Sequence, residues 1–333
     1  MARRTSWPGL SRRAGLDTEV GTADRCRYGV RMRGRSVGLT VAWLILLAGA
    51  QVVAFVALWR FAVGTEHGQL LDTIALTGNT IGQARVAELV GTVLNAVSAL
   101  SVLAATVFIG SLALIRRRVA LAVVTVALIA GANVTTQVLK YLIIRPDFGA
   151  DPERDAAGNS LPSGHTAVAA SVAVALVLAL PRRLRAAGAV LGAIYVAITG
   201  MATLSAGWHR PSDAAASMLV VGAWAAVASV VLLFYQGEDA QVESEDAHRL
   251  VTAVLLITGL AFVAAAAVAV GWTNEVLSIP AEELSRRRLF VAYAGGAAGI
   301  AGIASLMIGL VLATVHRVVP RLAGRSDPPV EAE

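Results

Sequence analysis

Residues 119–144 read VALAVVTVALIAGANVTTQVLKYLII, with no charged side chain before Lys140. About 20 apolar residues in a helix cover about 30 Å, the thickness of a bilayer's hydrocarbon core. This stretch therefore reads as a membrane span, and its lone cation falls at one end of it. Seven further runs of the same kind lie near 37–59, 87–115, 163–180, 186–207, 212–235, 250–272 and 289–315. The chain is 56% hydrophobic and 15% charged, too little polar surface to cover a soluble globule of 333 residues. The runs are rich in Ala, Gly and Val, which suits helices packed closely in a bundle. The expected fold is an all-α, polytopic membrane helical bundle. Within it, a six-span core over 37–235 is followed by two additional C-terminal spans over 250–319.

Polar segments mark the divisions. Residues 1–36 are Arg-rich and lack hydrophobic periodicity, and read as a disordered cytoplasmic leader near anionic lipid. The first run is long and far from the start, which favours a retained span over a signal peptide. The acidic stretch 236–249, with Glu238, Asp239, Glu243, Glu245 and Asp246, reads as a linker, and 320–333 as a cytoplasmic tail. Residues 64–83 read as an external loop with no assigned chemistry. Cys26 is the only cysteine, which excludes an internal disulfide or a cysteine-based metal site.

The formal charge of +6 would suit nucleic acid, yet the Arg clusters flank the spans and do not interleave with aromatics. They read as orientation signals, and the expected partners are membrane lipids rather than nucleic acid. Nine Arg residues before the first span, Arg116 to Arg118, and Arg182, Arg183 and Arg185 all fall on one side if the spans alternate. The positive-inside rule makes that side cytoplasmic and puts both termini there. Arg286, Arg287 and Arg288 break the pattern, and an interfacial helix from about Pro280 would accommodate them. The expected location is the cell membrane; the Ala, Gly, Val and Arg content fits a high-GC bacterium. Oligomeric state is not legible.

Three polar clusters sit at span ends. Lys140 and Arg145 lie where the third run exits, Ser163, Gly164 and His165 where the fourth begins, and His209, Arg210 and Asp213 where the fifth passes to the sixth. Alternation brings all three to one face, opposite the Arg clusters and hence external. Ionisable groups at such depths mark a site. A helix opening with Pro162-Ser163-Gly164 offers N–H groups, a hydroxyl and a positive dipole end to a phosphate. His209 attacks phosphorus only when neutral, and Asp213, four residues on, can hold one ring nitrogen and leave the other free. His165 is then placed to protonate a leaving alkoxide and afterwards activate water. His67, His248 and His316 lack such context and read as interface residues. Asp147, Asp151, Glu153, Arg154 and Asp155 read as a solvated loop, and Asn133, Thr135, Thr136 and Gln137 as interhelical hydrogen-bond partners.

Lys140…Arg145-Pro146, then Pro162-Ser163-Gly164-His165, then His209-Arg210-Pro211-Ser212-Asp213 resembles, in this order, the type 2 phosphatidic acid phosphatase superfamily over roughly 37–235. The resemblance implies metal-independent, cofactor-free hydrolysis of a lipid phosphate monoester or pyrophosphate. In it His209 is the nucleophile, Asp213 its orienter and His165 the acid and base. Lys140, Ser163 and Gly164 bind phosphate. Two positions depart from the family's pattern. Arg145-Pro146 follows Lys140 after four residues instead of six, which leaves Asp147 where the usual Arg stands. Thr203 occupies the position of an Arg six before His209. Arg145 and Arg210 are the candidate replacements. The alternatives are a lipid phosphotransferase and a catalytically weakened protein that binds or translocates a lipid phosphate.

Overall fold

The computed structural model describes residues 17–81, 99–150, 159–235 and 248–318, with isolated positions between 88 and 95. The residues read as acidic linker and C-terminal tail lie outside the described residues except at their edges, as do Asp151, Glu153, Arg154 and Asp155. The described chain is all-α. Its helices are α1 (Asp17–Ala62), α2 (Glu66–Thr77), α3 (Ala99–Ile115), α4 (Val119–Leu142), α5 (Gly164–Ala179), α6 (Arg182–Ser205), α7 (Pro211–Tyr235), α8 (Arg249–Asn274) and α9 (Arg286–Val318). Helix α1 starts inside the segment read as a leader without structure, so residues 17–36 have a helical backbone.

Among the described residues, six helical segments are long and apolar enough to cross a membrane: Val37–Ala62, Val119–Leu142, Arg182–Ser205, Pro211–Tyr235, Arg249–Asn274 and Arg286–Val315. The chain is a polytopic membrane protein. This corrects the expected eight spans, because the two C-terminal helices belong to the six and are not additional to them. The run at 87–115 lies partly outside the described residues, and its described part holds the apolar helix Val102–Ile115; the run at 163–180 forms the shorter helix Gly164–Ala179. Helix α5, with 16 residues, is only about 24 Å long. It is also the most enclosed, with Ala167, Ala170, Val174, Ala175, Val177 and Ala179 fully buried. A helix surrounded by protein has no lipid thickness to match.

The chain divides into two compact units, residues 1–43 and 44–333. In the second, α4, α5, α6 and α7 pack on one another, α9 lies along α6, α7 and α2, and α8 packs on α9. The Gly and Ala run from Gly295 to Gly302 makes a close helix contact with α8. A Cβ on Gly302 would stand 2.9 Å from the Gly259 carbonyl oxygen, and one on Gly295 would collide with the Ala269 Cβ. Asn133 donates to the Ser171 hydroxyl at 3.0 Å and the Trp224 indole to Thr135 at 3.1 Å, joining α4 to α5 and to α7. Thr136 donates within its own helix, to the Ala132 carbonyl at 2.8 Å.

The ends of α5 are chemically distinct. At its C-terminus Arg116 donates to the Ala179 carbonyl at 3.1 Å and Arg185 to the Leu180 carbonyl at 3.0 Å, cations set against a negative dipole end. Two of the Arg clusters therefore meet one helix length away from Ser163. Arg288 instead lies at the opposite end of the bundle, donating to the Trp272 carbonyl at 3.2 Å and lying 3.6 Å from Glu275. A 3-10 turn, Ala281–Glu283, stands where an interfacial helix was expected, and α9 begins at Arg286.

Candidate active site

The site forms where α4 ends, α5 begins and the α6–α7 connection turns. That connection is tight: Gly207 takes a φ of 75°, a left-handed conformation that glycine adopts without steric cost. The N–H groups of Trp208 and His209 both point back to the Thr203 carbonyl, at 3.0 and 3.3 Å. The turn delivers His209 to the start of α7, where it is only 7% exposed. Its Nδ1 lies 3.2 Å from the Asp213 carboxylate, which is fully buried. The same carboxylate oxygen accepts the Arg210 N–H at 2.9 Å, while the Asp213 N–H donates to the Arg210 carbonyl at 3.1 Å. This reciprocal pairing resembles a capping box, satisfying helix-start donors while fixing the imidazole. With Nδ1 held by Asp213, Nε2 is the nitrogen left for chemistry.

Helix α5 opens beside this turn. Ser163 is its N-cap, and its Oγ accepts from the Thr166 N–H at 3.4 Å and the Thr166 hydroxyl at 3.1 Å. The Ser163 N–H donates to the Asp213 carbonyl at 3.0 Å, and the Ser217 hydroxyl donates to the Ser163 carbonyl at 2.7 Å. Those bonds stitch α5 to α7. They also leave the first-turn N–H groups of Gly164 and His165, which have no carbonyl partner within the helix, facing out of its end. The side chain of Ser163 is a cap here, a role the sequence reading did not give it. The His165 ring stands 6.5 Å from that of His209, centroid to centroid and edge-on, and packs on Trp208 at 5.5 Å.

Cations complete the cluster. Lys140, in the last turn of α4, lies within electrostatic reach of His165. Its carbonyl accepts from the Asn159 amide at 3.4 Å, and that amide also donates to the Leu161 carbonyl at 2.6 Å, tying the incoming loop to α4. Arg210 is 4% exposed, and its Nη1 donates to Ser160 at 3.4 Å. The guanidinium nitrogens of Arg145 are shielded from solvent. The two departure positions are used structurally: the Thr203 hydroxyl donates to the Gly200 carbonyl at 2.8 Å, and the exposed Asp147 accepts the Gly149 N–H at 2.8 Å. All eight residues singled out from sequence thus line up around the ends of α4, α5 and α7, Arg145 on a neighbouring loop.

The sequence profile of the PAP2 superfamily, a lipid-phosphatase-like group, covers this constellation. Residues 118–238 match it. The PAP2-matched segment contains α4 to α7 and every sequence-predicted site residue. It is narrower than the expected 37–235 and leaves out α1, α2, α3, α8 and α9. No curated protein and no solved structure matches the chain.

One residue outside the PAP2-matched segment reaches the site. Asp72, on α2, accepts the Ser212 hydroxyl and, at 3.4 Å, the Ser212 N–H. Burial, and next the negative charge of Asp213, raise its carboxyl from an ordinary 3.8 to about 6, against the pull of the Ser212 hydrogen bond, Arg210 and Arg145. The sequence held a signal for α2: Thr65 accepts the Gly68 N–H at 3.0 Å as N-cap, ahead of a Leu71, Ile74 and Ala75 face. Asp72 is the one carboxylate beside that face.

Proposed function

We propose that the protein hydrolyses a lipid phosphate monoester or pyrophosphate through a phosphohistidine at His209. The observation that carries this is the buried His209–Asp213 pair beside the open first turn of α5. The phosphoryl oxygens lie on the N–H groups of Gly164 and His165 and against Lys140, Arg145 and Arg210. His209 Nε2 attacks phosphorus in line, the bond to the lipid oxygen breaks, and His165 gives that oxygen its proton. Water then attacks the phosphohistidine, giving its proton to His165 and freeing phosphate and His209.

A lipid substrate is favoured by what lies beside the site. An apolar groove of about 480 Å³ runs between α1, α4 and α7, lined by Phe55, Trp59, Leu139, Ile143, Val220 and Trp224. Leu139 and Ile143 flank Lys140 in the chain, so an acyl or isoprenoid tail in the groove would leave its phosphate at the cations. With the Arg clusters cytoplasmic, the site faces outward.

Phosphate release by the purified protein in detergent, from a panel of lipid mono- and pyrophosphates without added metal, tests the proposal. His209→Ala is expected to lower release by on the order of 10⁴-fold or more, as removal of a covalent nucleophile does. Release that survives the substitution would sink the phosphohistidine step. Lipid binding without release by a folded wild type would favour the weakened, lipid-handling reading instead.

A further inference from the structure

Helix α2 lies outside the PAP2-matched segment, yet it delivers a carboxylate to the group of residues that would hold phosphate. We propose that Asp72 sets the pH dependence of phosphate binding: its carboxylate is a resident counter-charge for Arg145 and Arg210, and phosphate is bound best when Asp72 takes up a proton. The inference rests on the reading of the site as a phosphate site.

The geometry supplies the coupling. Both carboxylate oxygens of Asp72 are turned onto Ser212, the residue between Pro211 and Asp213 in the first turn of α7. Asp213 holds His209, so Asp72 sits one residue from the proposed nucleophile's partner. The charged groups that act on Asp72 come from two other elements. Asp213 and Arg210 belong to the start of α7 and its preceding turn, and Arg145 to the loop after α4. From α8 and α9 the neighbouring walls are uncharged: Ala266, Val270, Thr273, Ala292 and Gly295 line, with Asp72, a cavity of about 200 Å³. Among the described residues, none of those lining the cavity on that side carries a positive charge. A phosphate arriving at Arg145 and Arg210 therefore meets two carboxylates, Asp72 and Asp213. Asp213 is committed to His209, and Asp72 is the one whose proton is in play near neutral pH.

The stability sign separates this role from plain helix capping. A carboxyl held at about 6 in the folded chain, against an ordinary 3.8, binds its proton more tightly folded than unfolded. Its ionised form therefore destabilises the fold. That penalty is absent below about 3.8, grows as pH rises between the two values and is complete above about 6. A carboxylate serving only to cap the α7 start would be held below its ordinary value and would stabilise the fold when ionised.

The test uses the full chain in detergent and inorganic phosphate as probe. Phosphate affinity is measured by calorimetry from pH 5 to 8 for wild type and Asp72→Asn, with thermal unfolding followed in parallel. The variant is expected to bind phosphate about tenfold more tightly than wild type at pH 7.5, as loss of one nearby like charge implies. The two should converge toward pH 5, and only wild type should show the extra proton uptake. The variant's Tm should rise, more at pH 7.5 than at pH 5. Equal affinities at every pH, weaker binding by the variant, or a lowered Tm would each overturn the proposal. So would a wild type that binds no phosphate even at pH 5, which would also remove the phosphate-site reading. Phosphate binding with the expected pH difference but no lipid hydrolysis would remove only the hydrolase reading.

Discussion

Helices α5 and α7 begin side by side, each at a Pro-Ser pair, and they treat the same physical problem in opposite ways. A helix start carries unpaired N–H groups and a positive dipole end, and it attracts an anion. At α7 the protein supplies the anions itself: Asp213 accepts the Arg210 N–H and Asp72 the Ser212 N–H and hydroxyl. At α5 the only internal acceptor is the neutral Ser163 hydroxyl, spent on Thr166, and no carboxylate accepts from Gly164 or His165 among the described residues. The first start holds the His209 ring through Asp213, and under the proposed function the second receives the phosphate. Under that proposal, function follows from which of two similar helix starts is left uncommitted.

The comparison breaks most sharply at Asp213. Asp213→Asn keeps the shape but presents no carboxylate to Nδ1, so the imidazole loses its fixed tautomer and the stabilisation of its charged form. Turnover is expected to fall by about 10³–10⁴-fold, the scale seen when a histidine's orienting carboxylate is neutralised, with little change in KM. Steady-state kinetics on the best lipid substrate checks this. An effect under tenfold would mean that the α7 start is merely a capped helix.

His165 tests the α5 side. His165→Ala is expected to lower turnover on an alkyl phosphate by about 10²–10³-fold, the usual range for a general acid. An aryl phosphate, whose leaving oxygen needs no proton, should lose far less in the first step. Equal losses on both substrates would deny His165 the acid's role and leave it a packing partner of Trp208.

Much of this pair was legible in sequence because charge is conspicuous in an apolar chain. Lys140, Arg145, His165, His209 and Asp213 are polar interruptions at the edges of hydrophobic runs, and alternation of spans gathers such edges whatever their exact length. Span length itself was less legible. A hydropathy run counts apolar residues, and α5 is apolar because protein surrounds it, not because it matches a bilayer. Helix α2 was missed for the reverse reason: 12 residues of mixed polarity resemble a loop, and only the tertiary contact to Ser212 gives Asp72 a role. Thr203 and Asp147 looked like losses of cations. Their side chains close local hydrogen bonds, while Arg145 and Arg210 bring guanidinium groups in from the flanking loops.

The smallest effect is expected at Ser163, and it sharpens the contrast between the two helix starts. As N-cap of α5, Ser163 accepts from Thr166, and Ser163→Ala should cost about 1 kcal/mol of stability, the usual value for losing a cap. Because the hydroxyl is turned onto its own helix, phosphate affinity at pH 7.5 should change by less than about threefold, the equivalent of a neutral hydrogen bond at the low end of its range. Thermal unfolding and phosphate calorimetry on the same sample separate the two roles. A variant with unchanged Tm and a large loss of affinity would make Ser163 a phosphate ligand rather than a cap. The anion site would then include a side chain, and the distinction between a helix start committed to the protein and one left open would rest on the N–H groups of Gly164 and His165 alone.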